Sequence, residues 1–450
     1  MLVILALSGG LLLAAQDDEP ATHLVSASIN INVRSQPDHT SLIVATLSPG
    51  SQIRVIETVT GTQVSGSATW YRVRLSEELA YIHSSLLQPL PFVAPMPPAN
   101  RDSREPANPN ALPAARNILA FLYSLPERSE GRVISGQFGA YGTGTGRHTA
   151  ENQLRRIYEQ SGYWPAMTGM DYARWDLLRQ NDYTEPNEFL IEQWELGSLV
   201  NISWHAPNPW TGGPSTDWQN PETTNPYDTR NVMALITPGS RAHTQWMRML
   251  DDVASGLQQL QDAGVIVIWR PLHEMNMGWA WWHRQPQDSF IALWRHMFNY
   301  FTYEKELNNL LWAYTPGMNG SEWDVSTIHY YPGRDYVDIV GLDKYMGVRE
   351  ERLQLNRWNE YNDLLTLGQP IGLFEFGPLP ATGQGWNEIR YDYSNLIRDI
   401  RELYPEIIAF QAWEYVWQIG NHYNAIGLFS DPWVISRGEL PDWNSPDFMP

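Results

Sequence analysis

The sequence predicts an α/β protein of two parts, in which a large (β/α)8 barrel follows a small all-β module. Three observations support this prediction. Eight apolar strand candidates alternate with amphipathic segments after Pro113, short alternating apolar stretches fill residues 24–90, and prolines cluster between the two regions. The chain has 450 residues, 43% hydrophobic and 18% charged, so it can bury a large core and has room for more than one domain.

The first residues have the pattern of an export signal. An apolar stretch runs from Leu2 to Ala15, ends in small residues before the acidic segment QDDEP, and is too short to span a bilayer. The basic residues that usually open such a signal are missing, since the first Lys or Arg is Arg34. An apolar first strand is the alternative. We expect residues 1–15 to be a signal peptide and the protein to be secreted.

Residues 24–90 show the period-two pattern of short strands, separated by turn residues such as Ser48-Pro49-Gly50. The words INVRSQPDHTSLIVATLSPGSQIRVIE, WYRVRL and AYIHSSLL resemble the bacterial Src-homology-3-like domain, although that family usually ends in Gly-Trp where this sequence has Ala80-Tyr81. The resemblance implies a module that contacts the cell wall or another polymer, and a spacer barrel without a ligand is the alternative. The apolar positions of the pattern are Ile29, Ile31, Val33, Ile53, Val55, Tyr71, Val73 and Leu75.

Prolines mark the boundary between the two parts. Eight of them occur between residues 89 and 113, and such a segment is extended and semi-rigid. We therefore expect a linker at residues 91–112 and the barrel domain at residues 113–450.

The barrel region contains eight strand candidates, with helical apolar spacing between them. One intervening segment, HTQWMRMLDDVASGLQQLQDAG, has the spacing of a helix with one covered face and ends at Gly264, as helices often do. The carboxyl ends of the strands of a (β/α)8 barrel open into one shared cleft. The candidates span residues 133–141, 164–172, 198–206, 265–275, 310–317, 337–345, 370–377 and 407–415, and their ends bear His205, Glu274, Tyr345, Glu375 and Trp413.

Composition excludes several classes of function. The formal net charge of −20 repels phosphate backbones and anionic membranes, so we expect neither a nucleic-acid nor a membrane partner. The chain has no cysteine, which excludes disulfides, thiolate metal sites and a cysteine nucleophile. Its 21 tryptophans are several times the ordinary usage and favour a surface that stacks on flat apolar ligands such as sugar faces. A tryptophan-rich core is the alternative.

The fourth strand candidate runs into the polar sequence RPLHEMN. Arg270, His273 and Glu274 thus lie at the carboxyl end of this strand, and the even spacing of Arg270 and Glu274 allows both to face the barrel interior. Glu375 ends the seventh strand in the same way. Glycoside cleavage needs two carboxylates across one bond, so two Glu residues at strand ends predict that chemistry.

Three separated motifs, WRPLHEMNMGWAWW, VDIVGLDKY and LFEFG, resemble glycoside hydrolase family 26, best known for endo-β-1,4-mannanases. The resemblance covers most of the chain from Val133 and implies a retaining hydrolase without a metal or organic cofactor. It implies that Glu274 is the acid/base and Glu375 the nucleophile. It also implies that His205 and His273 are sugar ligands, that Trp279 and Trp413 are aromatic platforms, and that Tyr345 is a partner of Glu375. We further expect Arg270 and Trp282 among the substrate-binding residues. Met277, where many relatives have Gly, departs from the pattern.

Alternatives remain for several of these residues. The two Glu residues could be buried partners of Arg270 in a barrel that binds glycans without cleaving them, and His205 could be a hydrogen-bonded core histidine. A zinc-protease helix would need His at position 277, where this chain has Met, so the metal interpretation fails. We expect a monomer that acts on mannan, glucomannan or galactomannan. Mixed-linkage β-glucan and β-1,3-xylan are the alternative substrates.

Overall fold

The computed structural model describes residues 22–89, except 28, 65, 76 and 77, and residues 104–449, except 142–145, 174–182, 221–230, 319–324, 347–349, 381–384, 386 and 387. Contacts divide the chain into two compact units, Met1–Val93 and Ala94–Pro450. The expected signal peptide lies outside the described residues, as does most of the expected linker. Among the helices in these ranges, none has the length and apolar character needed to cross a bilayer.

The first unit is all-β, as predicted. Its strands form one sheet in the order β4-β1-β8 and a second in the order β3-β2-β7-β6-β5. The predicted alternation holds at Ile31, Val33 and Val73, which are buried, whereas Ile29 is 72% exposed. The strands are β1 (His23–Val25), β2 (Ile31–Arg34), β3 (Ile43–Leu47), β4 (Gln52–Ile53), β5 (Val55–Val64), β6 (Ser67–Leu75), β7 (Glu78–His83) and β8 (Leu87–Pro89).

The second unit is a closed barrel of eight parallel strands, which confirms the predicted fold class. Strand follows strand around the barrel in chain order, and the first strand closes it by pairing with both the second and the eighth. The strands are β9 (Val133–Tyr141), β10 (Met167–Asp171), β11 (Leu199–Trp204), β12 (Val267–Pro271), β13 (Leu310–Tyr314), β14 (Ile339–Met346), β15 (Ile371–Pro378) and β16 (Ile407–Ala412). A short strand, β17 (Val434–Ile435), adds to β9.

Helices cover the outside of this barrel. The predicted amphipathic helix is α4, where Ser240 caps the first turn by accepting the His243 main-chain N–H at 2.9 Å and Gly264 follows the last turn at a positive φ. The described residues between β13 and β14 contain only a 3-10 turn at Arg334–Tyr336, so one expected helix is missing from them. The helices are α1 (Pro113–Ser124), α2 (Gly146–Ser161), α3 (Thr184–Glu195), α4 (Arg241–Asp262), α5 (Gln287–Asn299), α6 (Glu360–Leu365), α7 (Ser394–Leu403) and α8 (Ala425–Phe429).

Both faces of the barrel strands are buried, which explains their near-continuous apolar sequences. Side chains of α1, among them Ile118 and Leu122, share a core cluster with Ile134, Ile268 and Leu311 of the strands. Helix α1 thereby covers the amino-terminal mouth of the barrel. The carboxyl-terminal mouth is left for polar side chains.

Residues 104–112, which we expected in the linker, pack on the barrel unit. Ala107 and Asn108 are buried, and the Ala107 main-chain N–H donates to Asp338 Oδ1 at 2.5 Å. The other oxygen of Asp338 accepts the Trp312 N–H at 2.7 Å, so this carboxylate joins the segment to β13. The Asn108 amide donates to the Leu307 carbonyl at 3.1 Å.

We therefore expect a chain that starts at residue 104 to unfold at the same denaturant concentration as the barrel of the full chain. A chain that starts at residue 113 loses an N–H donor to the buried Asp338 carboxylate, which should lower the free energy of unfolding by about 1–3 kcal/mol. Urea unfolding followed by tryptophan fluorescence measures the difference. Equal stability of the two truncated chains would contradict the packing role of residues 104–112.

Candidate active site

The backbone turns sharply where β12 ends. We expected the strand to continue to residue 275, but it stops at Pro271, and Leu272 and Glu274 then adopt left-handed conformations with φ of 47° and 53°. The Glu274 N–H donates to the Thr315 carbonyl at 2.8 Å, which holds the turn against the segment after β13. The orientation of Glu274 therefore comes from a strained turn and not from strand alternation. Such strain persists only where surrounding contacts enforce it, and it is common at functional sites.

The segment after β13 fits closely against this turn. Asn276 and Gly317 exchange two hydrogen bonds, each 2.9 Å long, between the side-chain amide and the Gly317 main chain. A Cβ atom at Gly317 would lie 2.6 Å from Met277 Cγ and 3.1 Å from Glu274 Cγ, so a larger residue there would displace the Met277 side chain and press on Glu274. Met277, the departure from the family pattern, thus packs beside Glu274.

Glu375 lies on β15 and accepts hydrogen bonds from side chains of two other strands, β12 and β14. Arg270 Nη2 donates to Glu375 Oε1 at 2.5 Å, and the Tyr345 hydroxyl donates to Glu375 Oε2 at 2.9 Å. The second arm of the same guanidinium donates to Asp343 Oδ2 at 2.7 Å. Arg270 is fully buried, so its positive charge interacts with these two carboxylates and not with solvent. Glu375 itself is buried, with 4% of its surface exposed.

Glu274 has the opposite electrostatic environment. Its pKa is raised to about 7, first by burial and then by the nearby charge of Glu375, against the lowering effect of the Trp279 hydrogen bond. Burial lowers the pKa of Arg270, but Asp343 and Glu375 together keep it above its usual value. Near neutral pH, Glu274 therefore holds a proton for part of the time, while Arg270 stays a cation beside Glu375.

Two histidines line the cleft beside these carboxyls. His205 Nδ1 pairs with Asp171 Oδ2 at 2.6 Å, and Asp171 also accepts the Ser203 hydroxyl and two main-chain N–H groups. Burial lowers the pKa of His205, but the charge and hydrogen bond of Asp171, together with the charge of Glu375, outweigh it, and the net pKa lies above the usual value. The His273 ring packs edge-on against His205 with centroids 4.5 Å apart, and its Nε2 lies 3.4 Å from Glu375 Oε1. Burial, reinforced by Arg270, lowers the pKa of His273, so this ring stays neutral.

Aromatic rings form the walls of the site. The Trp279 indole N–H donates to Glu274 Oε2, and its ring centroid lies 5.2 Å from that of His205. Trp413 stacks on Phe138 with centroids 3.8 Å apart and is 6.3 Å from His205. These rings present faces of the kind on which sugars stack.

The sequence model of glycosyl hydrolase family 26 matches residues 107–439, about three quarters of the chain. The chain belongs to glycoside hydrolase family 26. A second family, the bacterial SH3 domain, matches residues 29–88 and agrees with the all-β first unit.

Curated relatives and solved structures of this family 26 hydrolase agree. It is 37% identical to mannan endo-1,4-beta-mannosidase A and B of Caldalkalibacillus mannanilyticus over 74% of this chain and 63% of that protein. It is 33% identical to mannan endo-1,4-beta-mannosidase of Bacillus subtilis over 78% of this chain and 93% of that one. The structure of the Bacillus subtilis mannanase BCman superposes with a TM-score of 0.66, at 31% identity, over 78% of this chain and 99% of that one.

The structure brings seven of the nine site residues named from the sequence together around the carboxyls of Glu274 and Glu375. The remaining two, Arg270 and Trp282, have no exposed surface, and Trp282 donates its indole N–H to the His273 carbonyl at 2.8 Å. Burial of this kind leaves Arg270 and Trp282 no surface for direct contact with a ligand in this conformation. The seven are Glu274, Glu375, His205, His273, Trp279, Tyr345 and Trp413.

Sequence reasoning missed Asp171, Asp343 and His283. Asp343 stands two residues before Tyr345 on β14, and Asp171 is the last residue of β10, so strand-end position could have indicated both. His283 lies in the motif WAWWHRQP, where nothing in the pattern separates it from a core histidine.

Ligand atoms of His273, Asp343 and Glu375 lie within 4.8 Å of one another, a spacing that a metal ion could bridge. The position of Arg270 disfavours metal binding at this cluster. Its guanidinium already contacts both carboxylates and neutralises part of their charge, which would repel a cation.

The charge of Glu375 should be visible in the titration of Glu274. In the unliganded protein the Glu274 carboxyl should titrate near pH 7, and Glu375→Gln should lower that pKa because it removes a neighbouring negative charge. Tyr345→Phe is the matched control, since it removes a hydrogen bond to Glu375 and leaves the charge. Carbon-13 NMR of carboxyl-labelled Glu, assigned with Glu274→Gln, measures the pKa. No change in Glu375→Gln would mean that burial alone sets the Glu274 pKa.

Proposed function

We propose that this chain is a retaining endo-β-1,4-mannanase that hydrolyses mannan, glucomannan or galactomannan. The observation that supports it most directly is the contrast between the two cleft carboxyls. Glu375 is paired with the Arg270 cation and the Tyr345 hydroxyl, whereas Glu274 has a pKa raised to about 7. A retaining glycosidase needs one ionised carboxylate and one protonated carboxyl on the same bond.

In the first step, a Glu375 carboxylate oxygen attacks the anomeric carbon. The bond from that carbon to the glycosidic oxygen breaks, and Glu274 gives its proton to the departing oxygen. A covalent glycosyl ester now links the sugar to Glu375. For this geometry the two carboxyls should lie about 5–5.5 Å apart, which stays a prediction.

In the second step, the ionised Glu274 takes a proton from water, and the water oxygen attacks the anomeric carbon. The ester bond breaks and Glu375 returns as a carboxylate beside Arg270. Ester formation removes the Glu375 charge that had raised the Glu274 pKa. The Glu274 pKa therefore falls, which keeps Glu274 ionised when it must act as the base. Activity that needs protonated Glu274 should fall as the pH rises through about 7.

The sugar identity rests on the relatives. The Caldalkalibacillus and Bacillus proteins are named mannan endo-1,4-beta-mannosidases, and the Bacillus protein is covered almost end to end. The Trp279 and Trp413 rings offer two stacking faces beside the reactive carboxyls, and His205 offers a polar group between them. We further propose that the protein is a secreted monomer and that its bacterial SH3 domain contacts a cell wall or another polymer.

A substrate panel tests the proposed specificity. Galactomannan or glucomannan should release reducing sugar faster than lichenan, β-1,3-xylan, β-1,4-xylan or cellulose. Higher specific activity on lichenan or β-1,3-xylan would assign the same chemistry to a different β-glycan. A pattern of products that starts with medium-length oligosaccharides, measured by chromatography, identifies endo action.

Leaving-group chemistry separates the roles of the two carboxyls. Glu375→Ala should abolish turnover of every substrate, because no glycosyl ester can form. Glu274→Ala should lower the rate on polymer by about 100- to 10,000-fold, because the departing sugar oxygen needs a proton. The aryl group of an aryl β-mannobioside is a good leaving group and departs without that proton. The glycosyl ester should therefore accumulate, and the aryl group should be released in a burst.

Azide completes this test, since it attacks the ester without a general base. Added azide should restore turnover in Glu274→Ala and give a glycosyl azide of retained configuration. Rescue and a burst in Glu375→Ala would instead reverse the roles. Full activity in both variants would mean that the barrel binds glycans at this site without cleaving them there.

A further inference from the structure

A third buried histidine, His283, lies behind the cleft wall and contacts the loop that presents Trp279. Its Nδ1 accepts two main-chain N–H groups, from Trp279 at 2.9 Å and from Ala280 at 3.1 Å. Its ring packs edge-on against Trp279, with centroids 4.7 Å apart, and against Trp282, with centroids 5.3 Å apart. One imidazole thus holds both the main chain and the ring of Trp279.

The chemistry of these contacts sets the state of the imidazole. Two N–H donors point at Nδ1, so this nitrogen must keep its lone pair, and the ring proton lies on Nε2. Burial lowers the pKa of His283 well below the usual value; a hydrogen bond with the His273 main chain opposes this shift, and the charges of His205 and Arg284 add to it. His283 therefore stays neutral while Glu274 titrates and functions as a fixed acceptor.

The contact of the Trp279 ring with Glu274 connects His283 to the reaction. Trp279 donates its indole N–H to Glu274 Oε2, and this hydrogen bond lowers the Glu274 pKa against the larger effects of burial and of Glu375. Arg270 and His205 also face Glu274 and lower its pKa. An indole N–H on one carboxyl oxygen leaves the other oxygen, Oε1, to carry the proton toward the glycosidic bond.

We infer that His283 is a positioning residue for the acid/base carboxyl: it fixes the Trp279 loop so that the indole N–H stays on Glu274 Oε2. This inference rests on the proposed role of Glu274. His283 touches no substrate and transfers no proton. Without a Nδ1-like acceptor, the Trp279 and Ala280 N–H groups lose their buried partner, the loop relaxes, and the indole leaves the carboxyl.

Two amide variants place an acceptor in different positions and test the inference. In His283→Asn the new side-chain oxygen lies near the place of Nδ1, whereas the longer amide of His283→Gln reaches toward the place of Nε2. His283→Asn should retain most of the activity on galactomannan. His283→Gln should lower kcat on galactomannan by roughly 10- to 100-fold, the range expected when a catalytic group loses its orienting partner.

The pH profile separates positioning from general destabilisation. The alkaline limb of kcat/KM reports the Glu274 pKa in the free enzyme, and loss of the Trp279 hydrogen bond should move that limb to higher pH in His283→Gln. An aryl β-mannobioside with a good leaving group should lose much less in its burst rate than galactomannan loses in kcat, because the affected group is the acid.

His422 supplies a chemically matched control. It is buried, burial lowers its pKa to about 4, and its Nδ1 accepts the Tyr391 main-chain N–H at 3.1 Å. His422→Gln should lower the melting temperature and leave the alkaline limb of the remaining activity where it was. An alkaline limb that moves equally in His422→Gln and His283→Gln would overturn the inference, because any loss of stability would then produce it.

Further outcomes distinguish a failure of the proposed function from a failure of the role of His283. If wild-type protein cleaves no mannan, or Glu274→Ala shows no azide rescue, the proposed function fails and the role of His283 fails with it. If both of those results hold, yet His283→Gln keeps the wild-type kcat and alkaline limb, only the role of His283 is wrong. If His283→Gln does not fold, His283→Asn decides alone: a folded protein that keeps most of its kcat and an unmoved alkaline limb supports the acceptor role of Nδ1, and a large loss of kcat in that variant contradicts it.

Discussion

The buried guanidinium of Arg270 is the interaction on which the carboxyl-terminal mouth of the barrel depends. It joins β12 to β14 through Asp343 and to β15 through Glu375, with contacts of 2.7 and 2.5 Å. Two carboxylates this close together and this deeply buried would repel each other without a cation between them. Removal of one partner from a buried ion pair typically costs about 3–5 kcal/mol, so Arg270 serves both the fold and the site.

The same cation separates the chemistry of the two glutamates. Glu375 accepts one hydrogen bond from Arg270 and a second from Tyr345. The Glu274 carboxyl is influenced mainly by burial, by the Glu375 charge and by one indole N–H. One residue type therefore meets two different electrostatic environments within one site. The left-handed turn at Glu274 is part of this arrangement, because it brings a strand-end residue toward a carboxylate that repels it.

Much of the fold could be predicted because each barrel strand is buried on both faces and so reads as a continuous apolar run. The strand ends also predicted Glu274 and Glu375. The turn after β12 could not be predicted, since Leu272 and Glu274 have no intrinsic preference for positive φ and only the contacts with Thr315 and Gly317 enforce it. Asp171 and His283 act through partners distant in sequence or through main-chain groups. The packing of Ala107 on Asp338 spans more than two hundred residues, which no local pattern reveals.

The pairing of β9 has a consequence for synthesis on the ribosome. This strand borders β10, which follows it directly, and β16, whose Ala409 pairs with Ile134 from near the other end of the chain. Translation is vectorial, so one edge of β9 has no strand to pair with until almost the whole barrel has left the exit tunnel. An open edge on a nascent chain is a place where another nascent chain can add. The late arrival of β16, followed by β17, closes that edge.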